Sequence, residues 1–132
     1  MNILVDTCVW SAALRRDSVR ESREIQCLRA ALQDGDGVFV TGLILQELLQ
    51  GFSAPKSRDR ILKAFAPLPI IIPERKDHVD AAALKIRLRQ NGAQAGTIDV
   101  LLAQLCLRHG LSLLTSDADF AHMARFIRLR LA

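Results

Sequence analysis

The 132-residue sequence has no tyrosine, one tryptophan and five phenylalanines. That scarcity argues against a single-strand binder built on an aromatic stacking platform. Cysteine is also sparse: Cys8, Cys27 and Cys106 are odd in number and far apart. A disulfide scaffold and a C-x-x-C metal site are both disfavoured, and reduced, mostly buried thiols are expected. No apolar run approaches the ~18 residues of a membrane span. The N-terminus has no basic region, apolar region and cleavage site in succession, so a cytoplasmic location without membrane association is expected. No Gly-rich loop with G-K-[ST] follows a strand and no G-x-S-x-G occurs. His78, His109 and His122 show no metal-ligand spacing.

Apolar residues make up half of the sequence, and the net charge is +4 with 18 Lys and Arg against 14 Asp and Glu. That balance mildly favours a polyanionic or acidic partner, and arginine suits phosphate and carboxylate recognition. The length suits one domain, 1–132. Strands are expected at 2–6, 38–41, 68–73 and 111–115, with "FIRLRL" (126–131) as a last edge strand. Helices are expected at 7–14, 18–34 with Ser18 as N-cap, 42–51, 56–66, 74–92 and 97–110, with a short helix or turn from Asp117. Apolar strands alternating with helices imply an α/β fold in three layers, α/β/α, around a mainly parallel sheet of four or five strands. Sites in such folds lie at the carboxyl ends of strands.

Acids gather at those ends. Asp6 follows the first strand, Asp117 follows "LSLLT", Asp99 lies in the first turn of a helix, and Glu47 lies in a helix directly after "VFVT". Each has a structural alternative: capping for Asp6 and Asp117, the helix dipole for Asp99, a solvated face for Glu47. Asp119 either supports the turn after Asp117 or joins the site. Clustered carboxylates need a cation or a steeply raised pKa, and this many hard oxygen ligands suit Mg²⁺ or Mn²⁺. Thr7, Thr41, Thr97, Thr115 and Ser116 lie near the acids and either orient them or serve turns and caps. Thr115 and Ser116, beside Asp117, and Thr7 are the accessory candidates. Arg15, Arg16, Arg20, Lys56, Arg58, Arg87 and Arg89 are candidates for holding a polyanion, or else form solvated helix faces.

"ILVDTCVW", "LQELLQG", "GTIDVLLAQLCLRHG" and "LSLLTSDADF", in this order, resemble a PIN-domain ribonuclease, specifically a VapC-type toxin of a type II toxin–antitoxin pair, over essentially the whole chain. The resemblance implies that Asp6, Glu47, Asp99 and Asp117 hold one or two Mg²⁺ or Mn²⁺ ions and catalyse RNA hydrolysis, with Asp119 nearby. It implies tRNA or rRNA as substrate, held by those basic side chains as RNA-binding residues, inhibition by a VapB-type antitoxin, operator DNA bound only through that antitoxin, and a homodimer. Cys8 stands where such toxins often have Ser or Asn. Two rivals remain at this point: a catalytically idle PIN-like module that binds an antitoxin, and a Mg²⁺-dependent phosphatase. The second resembles D-x-D-x-[TV] enzymes at Asp6 but lacks their second Asp. The apolar excess of Leu43, Ile44, Leu45, Leu48 and Leu49 further suggests a helix that meets a partner chain.

Overall fold

The computed structural model describes residues 1–15 and 21–132. The first apolar run forms strand β1 (Asn2–Val5). Its residues Ile3, Leu4 and Val5 are fully buried. Such a strand belongs at the centre of a sheet covered on both faces. It lies there: the strand order is β3-β2-β1-β4, with β2 (Gly37–Thr41), β3 (Ile70–Ile71) and β4 (Ser112–Leu114). All three pairings are parallel, with Ile3 opposite Val38 on one side and Ser112 on the other.

The helices are α1 (Thr7–Leu14), α2 (Arg23–Gln33), α3 (Gly42–Gly51), α4 (Pro55–Phe65), α5 (Arg75–Gln90), α6 (Thr97–His109) and α7 (Ala118–Met123). The chain moves from β1 outward to β3, then returns across the sheet to β4 beside β1. Right-handed crossovers therefore put α1–α4 over one face and α5 and α6 over the other. The direction reverses between β1 and β4, where an open α/β sheet leaves a crevice at its carboxyl edge.

Local chemistry sets the ends. Thr41 accepts a hydrogen bond from the Ile44 amide and starts α3 without a break after β2. Glu74 and Asp77 form a reciprocal capping box at the start of α5. Gly110 closes α6 at φ +65°, a left-handed conformation that glycine adopts without strain. Asp77 is completely buried between α5 and α6 and pairs with Arg108, whose guanidinium also reaches Glu74 at 3.1 Å. This charged clasp fixes the far end of the helix pair whose near end carries Asp99.

Four expectations are corrected. The edge strand at 126–131 is absent: Leu131 makes one isolated parallel bridge to Leu113. Ile127 and Leu129 are buried while their neighbours are exposed, so the alternation is real, but three-residue β4 offers too short an edge for a ladder. The strand expected at 68–73 shrinks to Ile70–Ile71. Pro69 and Pro73 have no N–H to donate, though the Pro69 carbonyl accepts from Val40 at 3.1 Å. The second helix begins at Arg23 with Ser22 as its cap, and Ser18 lies outside the described residues. Of the cysteines only Cys106 is fully buried; Cys8 and Cys27 are half-buried.

Candidate active site

Asp6 is the first residue past β1, and its backbone N–H still bonds to the Leu114 carbonyl of β4 at 2.9 Å. The side chain is nearly buried, at 8% exposure, and both oxygens are engaged. Oδ1 accepts from the Thr7 amide at 2.8 Å, which caps α1. Oδ2 accepts from the Thr115 hydroxyl, also at 2.8 Å, and from the Cys8 thiol at 3.5 Å. A carboxylate at the end of a buried strand is thus tolerated because three donors meet it. Capping and membership of a cluster are not alternatives here, since Asp6 does both.

Thr115 carries this arrangement across the crevice. It donates to Asp6 and its oxygen accepts from the Asp117 amide at 3.0 Å. Asp117 in turn accepts from the Asp119 amide at 2.9 Å and caps α7. The Cys8 sulfur lies 3.6 Å from the Thr115 hydroxyl and accepts from the Ser116 amide at 3.5 Å. The thiol therefore joins the β1 and β4 loops in the position where a polar helper was expected.

A cavity of about 430 Å³ opens between these loops and the starts of α3 and α6, lined by Asp6, Glu47, Asp99 and Asp117 with Thr7 and Cys8. The sequence reading missed Ser11, Ile98 and Leu102, which also line it. Helical spacing could have found two of them. Ser11 lies one turn after Thr7, and Leu102 lies three residues after Asp99 on α6.

The tightest grouping is Asp99, Asp117 and Asp119. One carboxylate oxygen from each lies within 4.8 Å of the others. Burial, then the charges of Asp6, Asp117, Asp119 and Glu47 in that order, push the Asp99 carboxyl up to about 6 from 3.8. Burial, and secondarily the Asp6 charge, raise the Cys106 thiol to about 12. The acids accordingly repel one another across a small space, the electrostatic condition that a hard divalent cation relieves. Glu47 and Asp6 line the same cavity outside that tight trio.

No lysine or arginine lines the acidic cavity among the described residues. Arg58 borders a shallow apolar groove on α3 beside Leu45 and Leu49. Arg89 lies with Lys85 at the α5–α6 turn, where Lys85 donates to the Ala95 carbonyl. Arg87 faces a third cavity, with Arg125 and Arg128. Arg15 is exposed at the end of α1, and Lys56 is exposed on α4. Arg16 and Arg20 lie outside the described residues.

Comparison with known proteins bears on the family and the fold. Ribonuclease VapC11 of Mycobacterium tuberculosis and VapC ribonuclease Mb1587 of Mycobacterium bovis are each 26% identical, covering 98% of this chain and 97% of theirs. VapBC2 from Rickettsia felis, solved bound to a DNA fragment from its promoter, has a chain that superposes with a TM-score of 0.75 at 20% identity, covering 100% of this chain and 98% of that one. VapC20 of Mycobacterium tuberculosis, a sarcin-ricin-loop-cleaving toxin, superposes at 0.67 with 15% identity, covering 98% and 99%. No helix is long and apolar enough to cross a membrane among the described residues. The PIN domain model matches residues 3–126, and the chain belongs to the PIN domain family.

Proposed function

We propose that the chain is the toxin of a type II toxin–antitoxin pair: an endoribonuclease that hydrolyses phosphodiesters in tRNA or rRNA with Mg²⁺ or Mn²⁺. The observation that carries the reading is the convergence of Asp6, Glu47, Asp99 and Asp117 on one cavity at the carboxyl edge of the sheet, with Asp119 within ligating distance of two of them. The likeness to VapC ribonucleases supports it.

Asp99, Asp117 and Asp119 offer the nearest set of oxygens for one ion, and Asp6 and Glu47 extend the set toward a second. When bound, the divalent ion neutralises the carboxylates and acts as a Lewis acid toward the phosphodiester. Asp6 is held rigid by three donors, so its position does not depend on the ion. Asp99 must release the proton that it holds below about pH 6 before it can act as a ligand. Thr115 positions Asp6 and the Asp117 loop together. Hydrolysis of this kind needs no nucleophile from the chain itself. A phosphatase of the rival class would need a second Asp two residues after Asp6, and Cys8 stands there.

Partners follow from the same surfaces. A VapB-type antitoxin would present an arginine or a basic segment to the acidic cavity, and operator DNA would be bound only through it. On α3, Ile44 and Leu48 are buried while Leu43, Leu45 and Leu49 remain half-buried beside a groove. That helix is the proposed contact with a partner chain, antitoxin or second copy.

The deciding experiment incubates purified protein with a mixed tRNA and rRNA pool in Mg²⁺, Mn²⁺ or EDTA, beside Asp99→Asn. Discrete metal-dependent cuts, lost in the variant, are expected. Equal cutting by both proteins, or none by either, would defeat the reading.

A further inference from the structure

The acidic cavity repels the polyanion it is proposed to cut, and no lysine or arginine lines it among the described residues. Cations elsewhere on the surface would supply affinity for a phosphodiester chain. Arg87 of α5 and Arg125 and Arg128 beyond α7 line a separate cavity of about 590 Å³, whose apolar lining is Leu107, Phe126 and Ile127. All three arginines are exposed, and none has an ion-pair or hydrogen-bond partner among the described residues. Three guanidiniums around one hollow, without a carboxylate, are a charge arrangement in want of an anion. Phe126 is 36% exposed. The Arg125 guanidinium lies 5.9 Å from its centroid, and His122 meets it edge-on at 5.4 Å.

We propose that this cleft is a second RNA subsite, in which Arg87, Arg125 and Arg128 grip backbone phosphates and Phe126 offers a face to one base. The proposal rests on the reading of the chain as an RNA-cleaving enzyme. The fold links the two places directly: Asp117 and Asp119 stand at the start of α7, and Arg125 follows its end. The helix has six residues, so it separates them by only about 9 Å along its axis. The cleft thus lies about one short helix away from the acids. An acidic peptide would satisfy the arginines, but it would leave the aromatic ring unused. One ring is not a stacking platform; it adds to a grip that is mainly electrostatic.

The test measures binding of a fluorescein-labelled single-stranded RNA of about 12 nucleotides, in EDTA so that nothing is cut, by anisotropy over a salt series. The full chain is compared with Arg87→Ala/Arg125→Ala/Arg128→Ala and with Phe126→Leu. The triple variant should lose about tenfold or more at low salt. Its log K against log salt should flatten by about 2, roughly 0.7 for each phosphate released. Phe126→Leu should lose about fivefold with the slope unchanged. Stabilisation by Mn²⁺ in thermal unfolding should match wild type in both variants, which shows the acidic cavity intact. An unchanged affinity and slope in the triple variant would overturn the subsite even if RNA is cut. Equal, arginine-dependent binding of polyglutamate would also overturn it and make the cleft a protein-docking surface. Arginine-dependent RNA binding by a protein that never cuts RNA would uphold the subsite and fail the nuclease reading.

Discussion

Replacing Asp99 with asparagine should stabilise the protein in EDTA while removing its response to divalent ions. Burial and four neighbouring carboxylates hold the Asp99 carboxyl at about 6 rather than 3.8, a difference of about 2 units. Each unit corresponds to about 1.4 kcal/mol, which gives about 3 kcal/mol before screening. Asp99 is only partly buried, so solvent reduces this to about 1–2 kcal/mol. The folded chain binds this proton more tightly than the unfolded chain does. The favourable contribution is therefore complete below about pH 3.8 and is lost as pH rises through about 6. At pH 7.5 the wild type carries the full repulsion and the variant does not. For a domain of this size Tm should rise by about 3–8 °C in the variant. The gap should narrow as pH falls toward 5. Saturating Mn²⁺ at pH 7.5 should then raise wild-type Tm well above its EDTA value and move the variant little. Thermal unfolding across pH, with and without Mn²⁺, reads all of this. A variant less stable than wild type in EDTA at pH 7.5, or a gap independent of pH, would refute the claim that the acids repel one another across a shared cavity.

Other expectations follow from single contacts. Thr115→Val removes the donor to Asp6 and the acceptor for the Asp117 amide, so Mn²⁺ affinity should fall about tenfold by calorimetry while unfolding free energy drops by about 1–2 kcal/mol. Arg108→Met leaves the fully buried Asp77 without its countercharge and should cost about 3–5 kcal/mol in urea unfolding. Adding Asp77→Asn should restore much of that loss, and equal instability of single and double variants would count against it. Gly110→Ala forces a side chain into the left-handed region at the end of α6 and should lower unfolding free energy by about 1 kcal/mol. Alkylation of the native protein at pH 8, followed by mass spectrometry, should label Cys8 and Cys27 and spare Cys106, whose thiol is buried and held near 12.

The sequence carried the site better than the edges of the fold. Asp6 and Asp117 were legible because each directly follows an apolar run that had to be a buried parallel strand. Asp99 was legible from the first turn of its helix, and Glu47 from a helix that directly follows a strand. What could not be read was which acids come closest. The trio of Asp99, Asp117 and Asp119 depends on how the α7 turn folds back against α6, a matter of packing rather than spacing. The 126–131 segment misled because burial alternates along it as in a strand, while hydrogen bonding was limited by the shortness of its neighbour, a property of β4. The arginines were visible as residues but not as groups. Arg87 gains its meaning from Arg125 and Arg128, which lie far along the chain and meet it only in space.

The bond between Asp6 and Thr115 spans 109 positions of the chain. Strand β4 fills its place beside β1 only after every other strand has been made. During synthesis the first acid therefore waits, bared at the end of an incomplete sheet, until the last strand emerges and docks. A ribosome partway through this chain holds a fragment that still lacks two of the acids: the segment that closes the sheet is also the segment that brings Asp117 and Asp119. The cluster of acids is therefore a property of the finished chain alone, assembled by the last strand to dock.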